Sequence, residues 1–344
     1  MTRPLNVALI GYGLAGRVFH APLISGVAGL KLSAIVSSRA ADIRKDYPAA
    51  APLASPEEAL DDPAIDLVVV ATPNDSHFEL AAGALARGKH VVVDKPFTTT
   101  ADEARELARL ALGAGRLLSV FHSRRWDGDF LTLKRLIEGG ALGEIVYFES
   151  HFDRFRPQVQ DRWRERAGAA SGTWYDLGSH LADQALQLFG PPRAIFADLA
   201  ARRAGAKTTD YFHVLLRYEK LRVVLTGNSL AAANDLRFVV HGTRGSFVKY
   251  GLDTQEVFMR DGGRPGDAGF GVDPRDGVLT DGEGVARSVA NERGDYTRYY
   301  AAVRDAILGA GPPPVTPVQA IAVMDLLEAA EKSAAEGRER APAP

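Results

Sequence analysis

The chain has 344 residues, 46% of them hydrophobic and 24% charged, with a formal net charge of −2 and no cysteine. That length suits about two domains with separate cores, and the balanced, scattered charge excludes an electrostatic footprint for nucleic acid or an anionic membrane. The missing cysteine excludes disulfides, thiolate metal sites and a cysteine nucleophile, as suits a cytoplasmic protein. Since MTRP leads straight into LNVALIG, neither an export signal nor a membrane span is expected.

The first third alternates strand and helix patterns, with strands over 5–10, 31–36, 66–71, 90–93 and 117–121 and helices over 15–26, 56–61, 76–87 and 101–114. Such alternation predicts a parallel sheet covered by helices. Thr100 with Glu103 marks the start of the last helix as a capping box, and Gly113 and Gly115 mark its exit.

The first strand runs into Gly11, Tyr12, Gly13, Leu14, Ala15 and Gly16. Glycines in GxGxxG spacing between a strand and a helix permit a tight turn, a close backbone approach to a pyrophosphate, and close packing of helix on strand. At the end of the second strand an NAD site usually offers Asp or Glu to the ribose 2′-hydroxyl. Ser37, Ser38 and Arg39 stand there instead, and hydroxyls with a guanidinium suit a 2′-phosphate, so NADP is expected over NAD.

The next long strand ends at Thr72, Pro73 and Asn74, with His77 in the following helix, and the one after it ends in Asp94, Lys95 and Pro96. Ligands of open α/β sheets lie outside the carboxyl ends of the strands, so these residues are expected at the cofactor. A lysine at that place can donate to a substrate oxygen; a lysine that has merely left the core for water is the plainer alternative.

From about residue 143 long strands follow, over 145–155, 193–203, 211–218, 221–230 and 236–250, interrupted by one helix near 173–189. They predict a mostly antiparallel sheet in a second domain. The glycine-rich stretch 261–284 reads as a surface loop, 316–337 as a helix and APAP as a disordered end. The expected division is 1–122 for the dinucleotide-binding domain and 123–315 for the sheet domain, with helix 316–337 packing back on the first.

Asp176 and His180 lie four apart in the predicted helix and share a face, and a histidine titrating near neutral pH suits acid/base work. Phe152, Arg154, Arg156, Trp163 and Arg164 set fork donors beside aromatic faces, as a polyhydroxylated ring requires. Arg124, Arg125, Trp126 and Asp127 offer similar chemistry, and for any single arginine an exposed loop position is equally open. No histidine spacing suits a metal.

GYGLAG, TPNDSH and DKPFTTT, in this order and spacing, resemble the Gfo/Idh/MocA oxidoreductases, and the resemblance covers essentially the whole chain. FHSRRWDGDF, ESHFDRFRPQVQDRWRE and SGTWYDLGSHLADQALQLFG look more specifically like the subgroup containing NADP-dependent scyllo-inositol dehydrogenase. One departure is Asp94, where the family signature usually has glutamate.

The resemblance implies an α/β Rossmann domain followed by an α+β domain on a large, open, mostly antiparallel sheet. It also implies NADP(H)-dependent hydride transfer at a secondary alcohol or ketone of a cyclitol or sugar, with scyllo-inositol as first candidate and other aldoses as the alternative. Lys95 would stand at the nicotinamide, commonly before a cis proline bond, and meet Asp176 and His180 across the domain boundary. Trp163 and Arg164 would lie near the cofactor, with substrate contacts at His122, Trp126, Phe152, Arg154 and Arg156. Homodimers or homotetramers through the sheet are implied as well. A glycosidase with a retained dinucleotide and a non-catalytic dinucleotide sensor are the rivals; the chain's retention of Lys95, Asp176 and His180 speaks against the sensor.

Overall fold

Six short runs dense in apolar residues, β1 (Leu5–Ile10), β2 (Leu30–Val36), β3 (Ala51–Leu53), β4 (Leu67–Val70), β5 (His90–Val93) and β6 (Leu118–Val120), form one parallel sheet in the order β3-β2-β1-β4-β5-β6. The structure, a computed structural model, describes residues 3–161 and 165–342. A strand covered on both faces has to be apolar throughout, and the valines of β4 and β5 are fully buried. The order runs outward in both directions from β1 and β4, so the carboxyl ends of these two strands flank a topological switch point.

The strands are joined by α1 (Ala21–Ser25), α2 (Ala40–Asp46), α3 (Pro56–Leu60), α4 (His77–Ala86) and α5 (Ala101–Ala114). Thr100 and Glu103 close the capping box of α5, and Gly115, at φ 60°, takes the left-handed conformation that ends it. The sequence pattern missed α2 and β3. Both are short, and β3 is an edge strand carrying Pro52, a residue that weakens any strand signal.

The second sheet is built from β7 (Ile145–His151), β8 (Ala194–Ala200), β9 (Tyr211–Arg217), β10 (Arg222–Asn228), β11 (Leu236–Gly242), β12 (Gly245–Tyr250), β13 (Gly277–Asp281) and β14 (Ala286–Val289). Its order is β14-β13-β12-β11-β7-β10-β9-β8, and every neighbouring pair is antiparallel except β7 with β10. Alternate residues bury one face: Phe148, Phe212, Val223, Phe238, Val240 and Phe247 are all fully buried. On the other face one row of directly paired residues crosses the sheet as Phe196, Leu215, Val224, Glu149, Val239, Val248 and Val278. Both ends of this row are 41% exposed.

The remaining helices are α6 (Gly128–Glu138), α7 (Ser179–Phe189), α8 (Gln255–Arg260), α9 (Thr297–Ile307) and α10 (Pro317–Glu336). The first compact unit comprises Met1–Ser123, Gln255–Phe270 and Asp295–Ile321, and the second comprises Arg124–Thr254, Gly271–Gly294 and Ala322–Pro344. The first segment of the first unit ends at Ser123. Two expectations are corrected: α8 and α9 belong with the dinucleotide-binding unit, and α10 from Ala322 onward belongs with the sheet unit. The reason lies in specific bonds: Trp174 Nε1 donates to the Leu327 carbonyl at 3.1 Å, and Ala197 N donates to Ser333 Oγ at 3.1 Å. The glycine-rich stretch also holds β13. At Gly277 a side chain would collide with the Phe247 ring, so the glycine that reads as loop is a packing requirement.

Candidate active site

In the first unit β1 delivers the chain to Gly11 at φ 105°, where a Cβ would lie 2.5 Å from the Ala71 carbonyl oxygen. A Cβ on Gly16 would overlap the Gly11 carbonyl oxygen, whereas around Gly13 nothing lies within 4 Å of that position. Two glycines are thus demanded by the fold, and the middle one faces open space, as a backbone cradle for a pyrophosphate requires. The helical turn that follows is widened: Ala21 N–H bonds the Gly16 carbonyl, five residues back. Pro22, which has no N–H and would press on the carbonyl four residues earlier, follows it directly.

Tyr12 is buried and donates to Asp46 at 2.9 Å; Leu14 is half-exposed, and Ala15 is partly covered. Ser37 Oγ accepts from Arg39 N at 3.2 Å. Ser38 and Arg39 are exposed, and the Arg39 guanidinium forms no ion pair among the described residues, so it is available to an anionic ligand. The residues present therefore fit a dinucleotide.

The ends of β4 and β5 are tied together. His77, buried, faces the Thr72 carbonyl with Nε2 and the Pro96 carbonyl with Nδ1, both at 3.0 Å. Burial lowers its pKa, although Asp94 and these carbonyls pull the other way. Asn74 is buried, and Thr72 Oγ1 accepts from Ser76 at 2.7 Å. The Lys95–Pro96 bond is cis. Asp94 is 6% exposed and accepts from Lys95 N at 2.8 Å. Burial alone would raise its pKa, but His20, Lys95 and His77 together hold it down to about 2. Lys95 itself is partly exposed.

In the second unit a wide turn over Trp174–Gly178 leads into α7. A side chain at Gly178 would strike the Trp174 ring. Asp176 therefore sits in a π-type turn, a feature frequent at functional sites, and not in the regular helix the pattern implied. His180, 9% exposed, stacks near Phe152 with centroids 6.3 Å apart and planes at 29°. The guanidinium carbons of Arg124 and Arg154 each lie 4.9 Å from the Phe152 centroid, within cation–π range.

Arg125 is buried and grips Asp183 of α7 through Nη2 at 2.6 Å and Nε at 2.9 Å. Arg237, fully buried, bonds Asp129, Ser150 and Gln184 at 3.0, 3.0 and 2.7 Å, and Gln184 in turn donates to the Arg124 carbonyl. Two successive residues of α7 are thereby fixed one turn beyond His180. Asp127, also buried, has its pKa pushed well up by desolvation, against the pull of Arg124.

Trp126 is partly buried and Arg156 exposed, while His122 is 2% exposed and belongs to the first unit. Trp163 and Arg164 lie outside the described residues. Sequence reasoning missed the supporting bonds of Asp183, Gln184 and Arg237; no local motif marks them. Among the described residues no group of three or more His, Asp or Glu could hold a metal ion, and no helix is long and apolar enough to cross a membrane.

Two family models match the chain. One, described as "Oxidoreductase family, NAD-binding Rossmann fold" (GFO_IDH_MocA), covers residues 5–122, and the other, "Oxidoreductase family, C-terminal alpha/beta domain", covers 134–342. The uncharacterized oxidoreductase YdgJ of Escherichia coli K12 is 55% identical over 97% of each chain. The scyllo-inositol 2-dehydrogenase (NADP(+)) IolW of Bacillus subtilis is 43% identical, covering 97% of this chain and 95% of its own. A solved structure of the oxidoreductase YvaA of Bacillus subtilis superposes with a TM-score of 0.97 at 42% identity, over 100% of this chain and 99% of that one.

Proposed function

The chain belongs to the Gfo/Idh/MocA oxidoreductase family, and from that premise we propose that it transfers a hydride between NADP(H) and a secondary alcohol or ketone of a cyclitol or sugar, with scyllo-inositol 2-dehydrogenase activity as the leading assignment. The observation that carries this reading is the carboxyl edge of the first sheet, where one edge presents the open Gly13 cradle, the exposed Arg39 and the strand-terminal Lys95. The absence of a carboxylate among Ser37, Ser38 and Arg39 supports NADP. The likeness to a relative named as an NADP-dependent scyllo-inositol dehydrogenase supports the substrate.

Bound NADP(H) supplies the hydride chemistry. With the cofactor bound, the His180 ring would accept the proton of the substrate hydroxyl. The Lys95 ammonium stabilises the developing alkoxide. Asp176 holds the substrate hydroxyl or orients His180, and Arg154, partly exposed beside Phe152, offers a fork donor to a polyhydroxylated ring.

The test is a panel of cyclitols and aldoses with NADP and with NAD, read by the absorbance of the reduced nicotinamide. Steady NADP reduction by scyllo-inositol is expected, and it excludes a glycosidase that regenerates its own dinucleotide. His180→Ala should lower turnover about 10²- to 10⁴-fold, and Lys95→Ala at least as much, with the double variant no worse than the poorer single one. No reduction with any polyol, or near-wild-type turnover in Lys95→Ala, would overturn the assignment.

A further inference from the structure

Behind Lys95 lies a buried chain of polar groups drawn from three separate stretches of the first unit. His20, from the widened turn after the phosphate loop, is fully buried, with Nδ1 2.6 Å from the Tyr300 hydroxyl of α9 and Nε2 3.7 Å from Asp94 Oδ1. Asp94 Oδ1 is also the acceptor of the Lys95 backbone N–H. Phe121 packs on the imidazole with centroids 4.4 Å apart, and Tyr299 lies edge-on to Tyr300. The charged or titratable groups facing this chain are Asp94, Lys95, His77 and Tyr299.

The place of the proton on His20 follows from both ends of the chain. Tyr300 is buried, and desolvation keeps its phenol protonated; its hydrogen has to be accepted by something, and His20 Nδ1 is its partner. With Nδ1 accepting, a neutral imidazole carries its hydrogen on Nε2, the atom that faces Asp94. A buried carboxylate demands such donors, whereas a lone pair turned toward it would repel it.

We propose that Tyr300 and His20 are positioning residues for Lys95: Tyr300 selects the Nε2–H tautomer of His20, and that N–H steadies the Asp94 carboxylate to which the Lys95 peptide is anchored. This rests on the reading of Lys95 as the group that meets the substrate oxygen. The shorter side chain of Asp94, where the family signature has glutamate, leaves a gap to the imidazole of more than hydrogen-bond length, which makes the tautomer the controlling variable.

The tautomer is read without any substrate. In the full-length protein with NADPH bound and histidines labelled with ¹⁵N, the His20 signal is assigned as the one missing in His20→Gln. The expected pattern is a neutral Nε2–H ring. In Tyr300→Phe, Nδ1 loses the donor that selects this tautomer, and signal from an Nδ1–H ring should appear.

With a confirmed polyol, His20→Gln, which keeps an N–H donor, should retain at least about fivefold more turnover than His20→Leu, at NADPH affinities within about twofold of each other. An Nδ1–H tautomer or an imidazolium in the wild type overturns the proposal, and so does wild-type turnover in His20→Leu. Undiminished activity in Lys95→Ala would instead overturn the reading of Lys95, while the tautomer measurement would still test the chain of polar groups from Tyr300 to Asp94.

Discussion

Replacing Gly13 with alanine should separate the cofactor cradle from the fold. Nothing lies within 4 Å of the position its Cβ would take, and its backbone is outside the left-handed region. Folding stability should therefore stay within about 1 kcal/mol of the wild type, with a slight gain from the stiffer unfolded chain. A pyrophosphate, however, has to approach that backbone closely. Forcing it away costs one or two charge-assisted hydrogen bonds of about 1.5–3 kcal/mol each, which is about 10- to 100-fold or more in affinity. Gly16→Ala should show the opposite division, because its Cβ overlaps the Gly11 carbonyl; overpacking of this kind costs about 1–3 kcal/mol or more. Thermal melting without cofactor, together with titration of NADPH fluorescence, measures both quantities for both variants. Wild-type NADPH affinity in Gly13→Ala would show that the open space is not the cradle, and a fall in its melting temperature matching that of Gly16→Ala would show that the space is not open.

Arg39→Ala should weaken NADP about 10- to 100-fold while changing NAD by less than about twofold, since only the 2′-phosphate uses the guanidinium; equal losses in direct titrations would remove Arg39 from that role. His151 lies 2.9 Å from Glu149 and 3.1 Å from Asp153; burial lowers its pKa, but the two carboxylates win and raise it from 6.5 to about 9. Because the native ring keeps its proton longer than the unfolded one, up to about 3 kcal/mol of stability should be complete below pH 6.5 and be lost as pH rises through about 9. Urea unfolding at several pH values should show this slope flattened in His151→Gln, and an unchanged slope would refute it. Finally, the apolar row Phe196, Leu215, Val224, Val239, Val248 and Val278 should be covered by a second copy of the chain, so light scattering at micromolar concentration should give at least a dimer and Val239→Lys should shift it toward monomer; a wild-type monomer mass would sink this expectation.

The parallel sheet was legible because strands covered on both faces leave no choice of residue: LVVV and HVVV can hardly be anything else. Asp94 and Lys95 were legible for the converse reason, as charge at the end of such a run. What stayed hidden depends on partners far along the chain. His20 looks like one histidine among eight until Tyr300, 280 positions away, is set against its Nδ1. Nothing in the strand around Arg237 marks it for burial, yet it is fully buried because Asp129, Ser150 and Gln184 satisfy it. For Arg125 the sequence left a cleft and an exposed loop equally open, and it is instead buried against Asp183, 58 residues on. The spacing of Asp176 and His180 was visible, but the wide turn between them arises from tertiary packing around Trp174 and Gly178.

The first unit is assembled from three separate stretches of chain, the last ending at Ile321. Ser119 donates to the Val315 carbonyl and Tyr299 to Ser119, while Phe121 packs against Tyr299, so the floor beneath β6 is laid by residues near the end of the message. A ribosome that has made β6 must add about two hundred more residues before that floor exists, roughly 10–40 s at ordinary rates of synthesis. Throughout that interval Phe121 and the imidazole of His20 lack their tyrosine cover, and a nascent or truncated chain ending near residue 123 exposes them. The sheet that looks like an independent N-terminal module by its sequence is therefore among the last parts of the molecule to be completed, and its early exposure makes it the segment most in need of chaperone protection.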